Sequence, residues 1–132
     1  MENLVYALVQ LVHNFGAVAV TAAPLAARWT ARASSATLLR LVVVAWAAQI
    51  ASGASFGATS LHYYGVLPDL GDIARAALVV KVLCAAIGLV LSVILLRRGA
   101  QWAQRARERA WLVLAMLGAT ALTGAAVLRW FS

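Results

Sequence analysis

Negative charge is scarce in this chain. Its 132 residues hold four Asp and Glu against eleven Lys and Arg, and only one cysteine, two prolines and two methionines. A single cysteine, Cys84, set inside an apolar run, excludes an intramolecular disulfide and any cysteine-built metal cluster within one chain. Its expected role is that of a small apolar packing residue. With Met1 and Met116 as the only methionines, a copper(I) path built on thioether and thiolate donors is poorly served. Walker loops, GxSxG, HExxH, CxxC and CxxCH are all missing, so hydrolysis, thiol exchange and c-type haem attachment have no motif to rest on. Polar surface is short as well. The chain is 64% hydrophobic and 11% charged, with a mean hydropathy of +0.90, too little polarity to clothe a soluble globule of this size. These deficits point to an integral membrane protein.

What is present is a set of four apolar runs, over residues 4–27, 41–61, 73–96 and 111–131. A membrane-crossing helix needs roughly 20 mostly apolar residues, and each run is of about that length. The expected fold is all-α, a four-helix transmembrane bundle forming one domain over residues 1–132, in contact with membrane lipids. The first run has Glu2 and no Lys or Arg ahead of it, and it is longer than a signal-peptide core, so it reads as a retained helix. Most of the basic residues fall in two short connections. Arg28, Arg32 and Arg40 follow the first run, and Arg97, Arg98, Arg105, Arg107 and Arg109 follow the third. They do not form a stripe along one face, so they read as membrane topology and not as a nucleic-acid footprint. Short arginine-rich connections stay in the cytoplasm, and these eight stand against Arg75 on the other side. Both termini are therefore expected outside, on the periplasmic face of a bacterial inner membrane. The connection HYYGVLPD over residues 62–69, broken by Gly65 and Pro68, is expected outside with them.

A short internal repeat divides the chain into two halves in parallel orientation. Spans two and four each follow a basic connection, and each has Trp followed seven residues later by Gly: Trp46 and Gly53, Trp111 and Gly118. Under that equivalence His13, fifteen residues before Arg28, matches Lys81, sixteen before Arg97. Both are expected at the same depth in the outer half of the bilayer. An ionisable residue inside a span marks a functional site by default, because a charge near the bilayer centre costs at least about 2.5 to 3.5 kcal/mol. Both side chains must turn inward. Lys81 can snorkel, and His13 can hydrogen-bond to Gln49 or a backbone carbonyl in a purely structural role. Alternatively His13 is a metal or haem ligand, with Gly16, Ala17, Val20, Gly53 and Gly57 as a small-residue groove for the ring.

Three stripes are expected to face the interior: Gln10, His13, Asn14, Ala17 and Thr21 in span one; Gln49, Ser52, Gly53 and Phe56 in span two; Lys81, Cys84, Gly88 and Ser92 in span three. Gly53 and Gly57 have the small-xxx-small spacing that permits close helix contact. His62, beside the interfacial Tyr63 and Tyr64, lies nearer the surface than His13. It is a candidate for a second cofactor or for the propionate edge of a haem. Arg75 is the better propionate partner, since a guanidinium pairs carboxylates bidentately.

A span-one histidine followed by small residues, a second span carrying Ser52-Gly53, a short outer connection, and DLGDIARAALVVKVLCAAIGL with its buried lysine resemble the CopD-like membrane superfamily. That group includes the membrane domain of copper-resistance proteins and, more distantly, the HemJ-type protoporphyrinogen oxidases. In the latter a first-helix histidine and a third-helix lysine are associated with haem b, and the resemblance implies those roles for His13 and Lys81. The stretch NFGAVAVTAAPLAARW stands where the oxidases have an aromatic WFAGLFYLPRL-like segment, so the resemblance implies a generic haem-b redox or accessory role before protoporphyrinogen oxidation. The expected function is thus a small haem-b protein that carries electrons or serves as a subunit of a larger membrane redox complex. A non-catalytic structural subunit docked on a larger membrane protein, or forming a homo-oligomer, is the competing class. Copper handling ranks third.

Overall fold

A computed structural model describes residues 2–30 and 35–131. Arg32, counted above in the first basic connection, and Met1 lie outside the described residues. The described chain forms four long helices: α1 (Glu2–Trp29), α2 (Ala36–Tyr64), α3 (Asp72–Arg98) and α4 (Gln104–Phe131). All four are long and apolar enough to cross a membrane. The protein is an all-α, four-helix integral membrane protein. α1, α2 and α3 overrun their apolar runs at both ends, and α4 overruns its run at the start. At 1.5 Å per residue the 28 residues of α1 reach about 42 Å, some 12 Å more than a hydrocarbon core of about 30 Å.

The helix ends follow local chemistry. Ser35 caps α2, its hydroxyl accepting from the Leu38 amide at 3.3 Å. Gly65 ends α2 with φ 71°, the left-handed geometry that spares a Cβ clash, while its N–H donates to the Leu61 carbonyl. A 3₁₀ turn, Gly99–Gln101, joins α3 to α4. Arg107 straps that turn by donating to the carbonyls of Trp102 at 2.8 Å and Gly99 at 3.4 Å. At the same end Arg28 donates to the Glu108 carbonyl at 3.2 Å and ties the end of α1 to the start of α4.

Each helix packs on two neighbours. α1 lies against α2 and α4, and α3 lies against α2 and α4, so the four close into a ring in which α1 and α3 stand diagonally. Packing is uneven along the ring. The half beside the arginine-rich connections holds the core: Val20, Ala23, Ala27, Leu39, Val42, Trp46, Ala85, Leu95, Ala110, Trp111 and Leu114, with Trp46 1% and Trp111 0% exposed. Close approach there depends on missing side chains. A Cβ on Gly88 would stand 2.4 to 2.8 Å from the Trp46 indole. A Cβ on Gly118 would stand 2.9 Å from the Val20 carbonyl, which Pro24 four residues on leaves without its helical donor. Outward-facing Leu8, Leu11, Phe15, Val79, Val82 and Leu83 form part of the lipid-facing surface.

In the other half the α2 side is more open, and two expectations change there. Gly53 and Gly57 do not mediate a close helix contact. A Cβ on Gly53 would meet no atom within 4 Å, and one on Gly57 only Leu67 at 3.8 Å. The Trp and Gly of the apparent repeat also diverge: both tryptophans are buried, but Gly118 is tightly packed whereas Gly53 is open. On α1 the buried arc is His13, Gly16, Val20, Ala23 and Ala27, rotated away from Gln10 and Asn14, which are exposed.

Candidate functional site

A ring of alternating up and down helices places α1 and α3 parallel to each other across the bundle axis. Residues at equal depth on their inner faces therefore meet. His13 stands eleven residues, about 16 Å, from the start of α1, and Lys81 nine residues, about 14 Å, from the start of α3. The two are in direct contact: Lys81 Nζ lies 2.9 Å from His13 Nε2. His13 is 8% exposed and Lys81 half-buried.

Both ring nitrogens of the imidazole have a hydrogen-bond partner. Ser52 Oγ, on α2, lies 2.7 Å from His13 Nδ1. The Ser52 hydroxyl also donates its one hydrogen to the Ala48 carbonyl at 2.5 Å, so toward His13 its oxygen accepts. The network therefore assigns the proton to Nδ1 and leaves a lone pair on Nε2, aimed at Lys81. Two further contacts hold the ring. Phe56 packs edge-on at 5.6 Å between centroids, and Tyr6 stacks on Phe56 at 6.5 Å. Gln49 Nε2 donates to the His13 backbone carbonyl at 2.5 Å. Gly16, one turn along α1, makes room for it: a Cβ there would stand 2.6 Å from that amide nitrogen. Gly16 is thus a helix-contact residue, and Val20 belongs to the core, so neither leaves space for a ligand. Open space lies instead at Gly53, which follows Gln49 by four residues and Trp46 by seven, and so shares their inward arc while remaining exposed.

The structure brings together His13 and Lys81 and adds Ser52 as their third member. It does not bring in the other two candidates. His62 sits ten residues, about 15 Å, beyond Ser52 along α2, exposed and edge-on to Tyr63 at 4.9 Å. Arg75 lies six residues, about 9 Å, before Lys81 on α3, exposed, donating to the Leu70 carbonyl at 3.3 Å. Cys84 and Gly88, one and two turns from Lys81, are buried as their stripe implies. Ser52 was legible only as part of the span-two stripe. Its pairing with His13 depends on the rotation of α2, which periodicity leaves loose by a residue or so.

Among the described residues no three His, Cys, Asp or Glu side chains gather into one cluster. The donors on offer are one imidazole and one amine. Two nitrogens bound to one metal, at about 2 Å each, stand about 4 Å apart when they face each other. The observed pair is closer by about 1 Å, with an open flank at Gly53. His13 thus has one ring nitrogen held by Ser52 and the other directed at Lys81. No family model, curated protein or solved structure matches this chain.

Proposed function

We propose that this protein binds haem b between α1 and α3, that His13 and Lys81 would hold it, and that it acts in membrane electron transfer, alone or as a subunit of a larger redox complex. The observation that carries the reading is the convergence of these two donors across the ring diagonal, with Ser52 holding the opposite nitrogen of the imidazole in its protonated form. Bound haem supplies one-electron exchange. The chain's own residues orient and insulate it. Ser52 and Phe56 keep the imidazole plane fixed, Gln49 anchors the backbone of α1 at His13, and the small residues Gly53 and Gly57 leave the flank uncovered. Lys81 would hold the group as the neutral amine, since a nitrogen ligand must give up its proton. His62 and Arg75, both nearer the helix ends, would serve at most a carboxylate edge or a second group. Copper handling finds no group of three His, Cys, Asp or Glu donors among the described residues to support it.

The experiment is an optical spectrum of the detergent-purified, haem-supplemented protein, dithionite-reduced minus oxidised. The wild type is expected to show b-type bands and His13→Ala to lose them. A wild type without such bands leaves the non-catalytic structural subunit as the reading that survives.

For orientation we propose the bacterial inner membrane, with the arginine-rich connections cytoplasmic and both chain ends periplasmic. The support is the excess of Arg28, Arg32, Arg40, Arg97, Arg98, Arg105, Arg107 and Arg109 over Arg75 and Arg129 at the opposite ends of the spans. In a Cys84→Ser background, Leu67→Cys is expected to react with an impermeant maleimide added outside and Gln101→Cys to stay unlabelled. The reverse pattern would invert the protein.

A further inference from the structure

The face of α1 beside the His13 arc carries Asn3, Ala7, Gln10, Asn14, Ala17 and Thr21, at alternating spacings of four and three residues. That is the spacing of a helix-packing seam, with small or polar residues at every position. Its inner end is already used: Thr21 lies against Gly118 of α4, where a Cβ would come within 3.0 Å of the threonine methyl. Its outer end has no such cover. Asn3, Ala7, Gln10 and Asn14 are all exposed. Gln10 Nε2 donates to Asn14 Oδ1 at 2.7 Å, which leaves Gln10 Oε1 and the Asn14 amide N–H groups without partners among the described residues. By length, Gln10 stands about 12 Å and Asn14 about 18 Å along a helix of about 42 Å, so Asn14 lies well within the hydrocarbon. Amides at that depth need hydrogen-bonding partners, which lipid chains do not supply.

We propose that this seam is the contact between two copies of the chain, related by a two-fold axis along the membrane normal. The choice of a second copy follows from the chemistry of the patch. A carboxamide carries donor and acceptor together, so an Asn and Gln pair is its own complement. A two-fold axis lays the same patch against itself, offering each free N–H a free carbonyl oxygen. The patch carries no charge, so two copies meet without repulsion, and Ala7 between the amides lets the backbones approach. The pairing stands apart from any cofactor in the bundle, because the seam lies to one side of the arc that holds His13.

The test uses single-cysteine variants of the full chain in native membranes, in a Cys84→Ser background. Ala7→Cys lies on the seam and Leu8→Cys, at nearly the same depth, about 100° around α1 from it on the lipid-facing surface. Under copper-phenanthroline oxidation Ala7→Cys is expected to form a disulfide-linked dimer at least tenfold faster than Leu8→Cys. Adding Gln10→Leu and Asn14→Leu to Ala7→Cys is expected to bring the rate down to that of Leu8→Cys, while Asn14→Gln keeps it high. Mass photometry of the protein in lipid nanodiscs is expected to show the two-copy mass for the wild type and the one-copy mass for the double leucine variant. Equal crosslinking at both positions overturns the proposal. So does a one-copy mass for the wild type, or an Ala7→Cys adduct that contains a different protein.

Discussion

Gly88→Val is expected to disrupt the bundle, with a loss of about 3 kcal/mol at the upper end of ordinary overpacking penalties. The first added carbon would fall 2.4 Å from one atom of the Trp46 indole and under 2.9 Å from two more. That indole is 1% exposed, flat and rigid, and it sits in the tightest part of the core, so it has no side to yield to. Resistance to SDS-induced unfolding, followed by tryptophan fluorescence, measures the effect. Gly88→Ala is expected to lie between valine and the wild type. Trp46→Leu combined with Gly88→Ala is expected to recover part of the loss, because leucine vacates the space and also removes an indole N–H buried without a partner among the described residues. Strict additivity of the two substitutions would mean that the residues do not press on each other.

Lys81→Met is expected to leave the helices assembled and to change the chemistry at the site. Two opposing terms are of similar size. Loss of the Lys81 donor strands the His13 Nε2 lone pair, at about 1 to 3 kcal/mol for an unpaired buried polar group. Removing an ionisable amine from the interior of a span returns about 2.5 to 3.5 kcal/mol of insertion cost. Net stability should fall between a loss of about 0.5 and a gain of about 2.5 kcal/mol. The spectrum should not be so indifferent. With haem bound as proposed, the amine donor on one face is replaced by a thioether, and the reduced b-type bands shift while His13 retains the group. An unchanged spectrum in a Lys81→Met protein, with His13→Ala still losing it, would take Lys81 out of the coordination sphere.

The matching depth of His13 and Lys81 could be read in the sequence because each is positioned against a fixed reference, the arginines at the following helix end, whereas their contact follows from the diagonal placement of α1 and α3, which the sequence left open. The four helices were equally legible, since apolar runs of spanning length have few alternatives. Finer features depended on helix rotation. Gln10 and Asn14 share the three- and four-residue spacing of His13, and a shift of one arc separates a buried stripe from an exposed one. Gln49 and Ser52 were both on the correct face of α2, but their roles depend on a fraction of a turn: Ser52 meets the ring and Gln49 meets the backbone behind it. Gly53 and Gly57 have the spacing of a close contact, yet such contacts form only where a neighbouring helix approaches, as at Gly88 and Gly118.

The diagonal placement of the pair has a consequence for how the site comes into being. His13 and Ser52 belong to the hairpin of α1 and α2, and Lys81 belongs to the hairpin of α3 and α4, with the exposed connection around Pro68 between them. Neither hairpin carries the pair by itself. During synthesis the first hairpin is complete before its lysine exists, so the site can mature only after the last two helices have entered the membrane and docked. The contact of His13 with Lys81 thus forms only once both hairpins are in place. Two fragments cut at the connection would be silent apart and would report on each other's arrival.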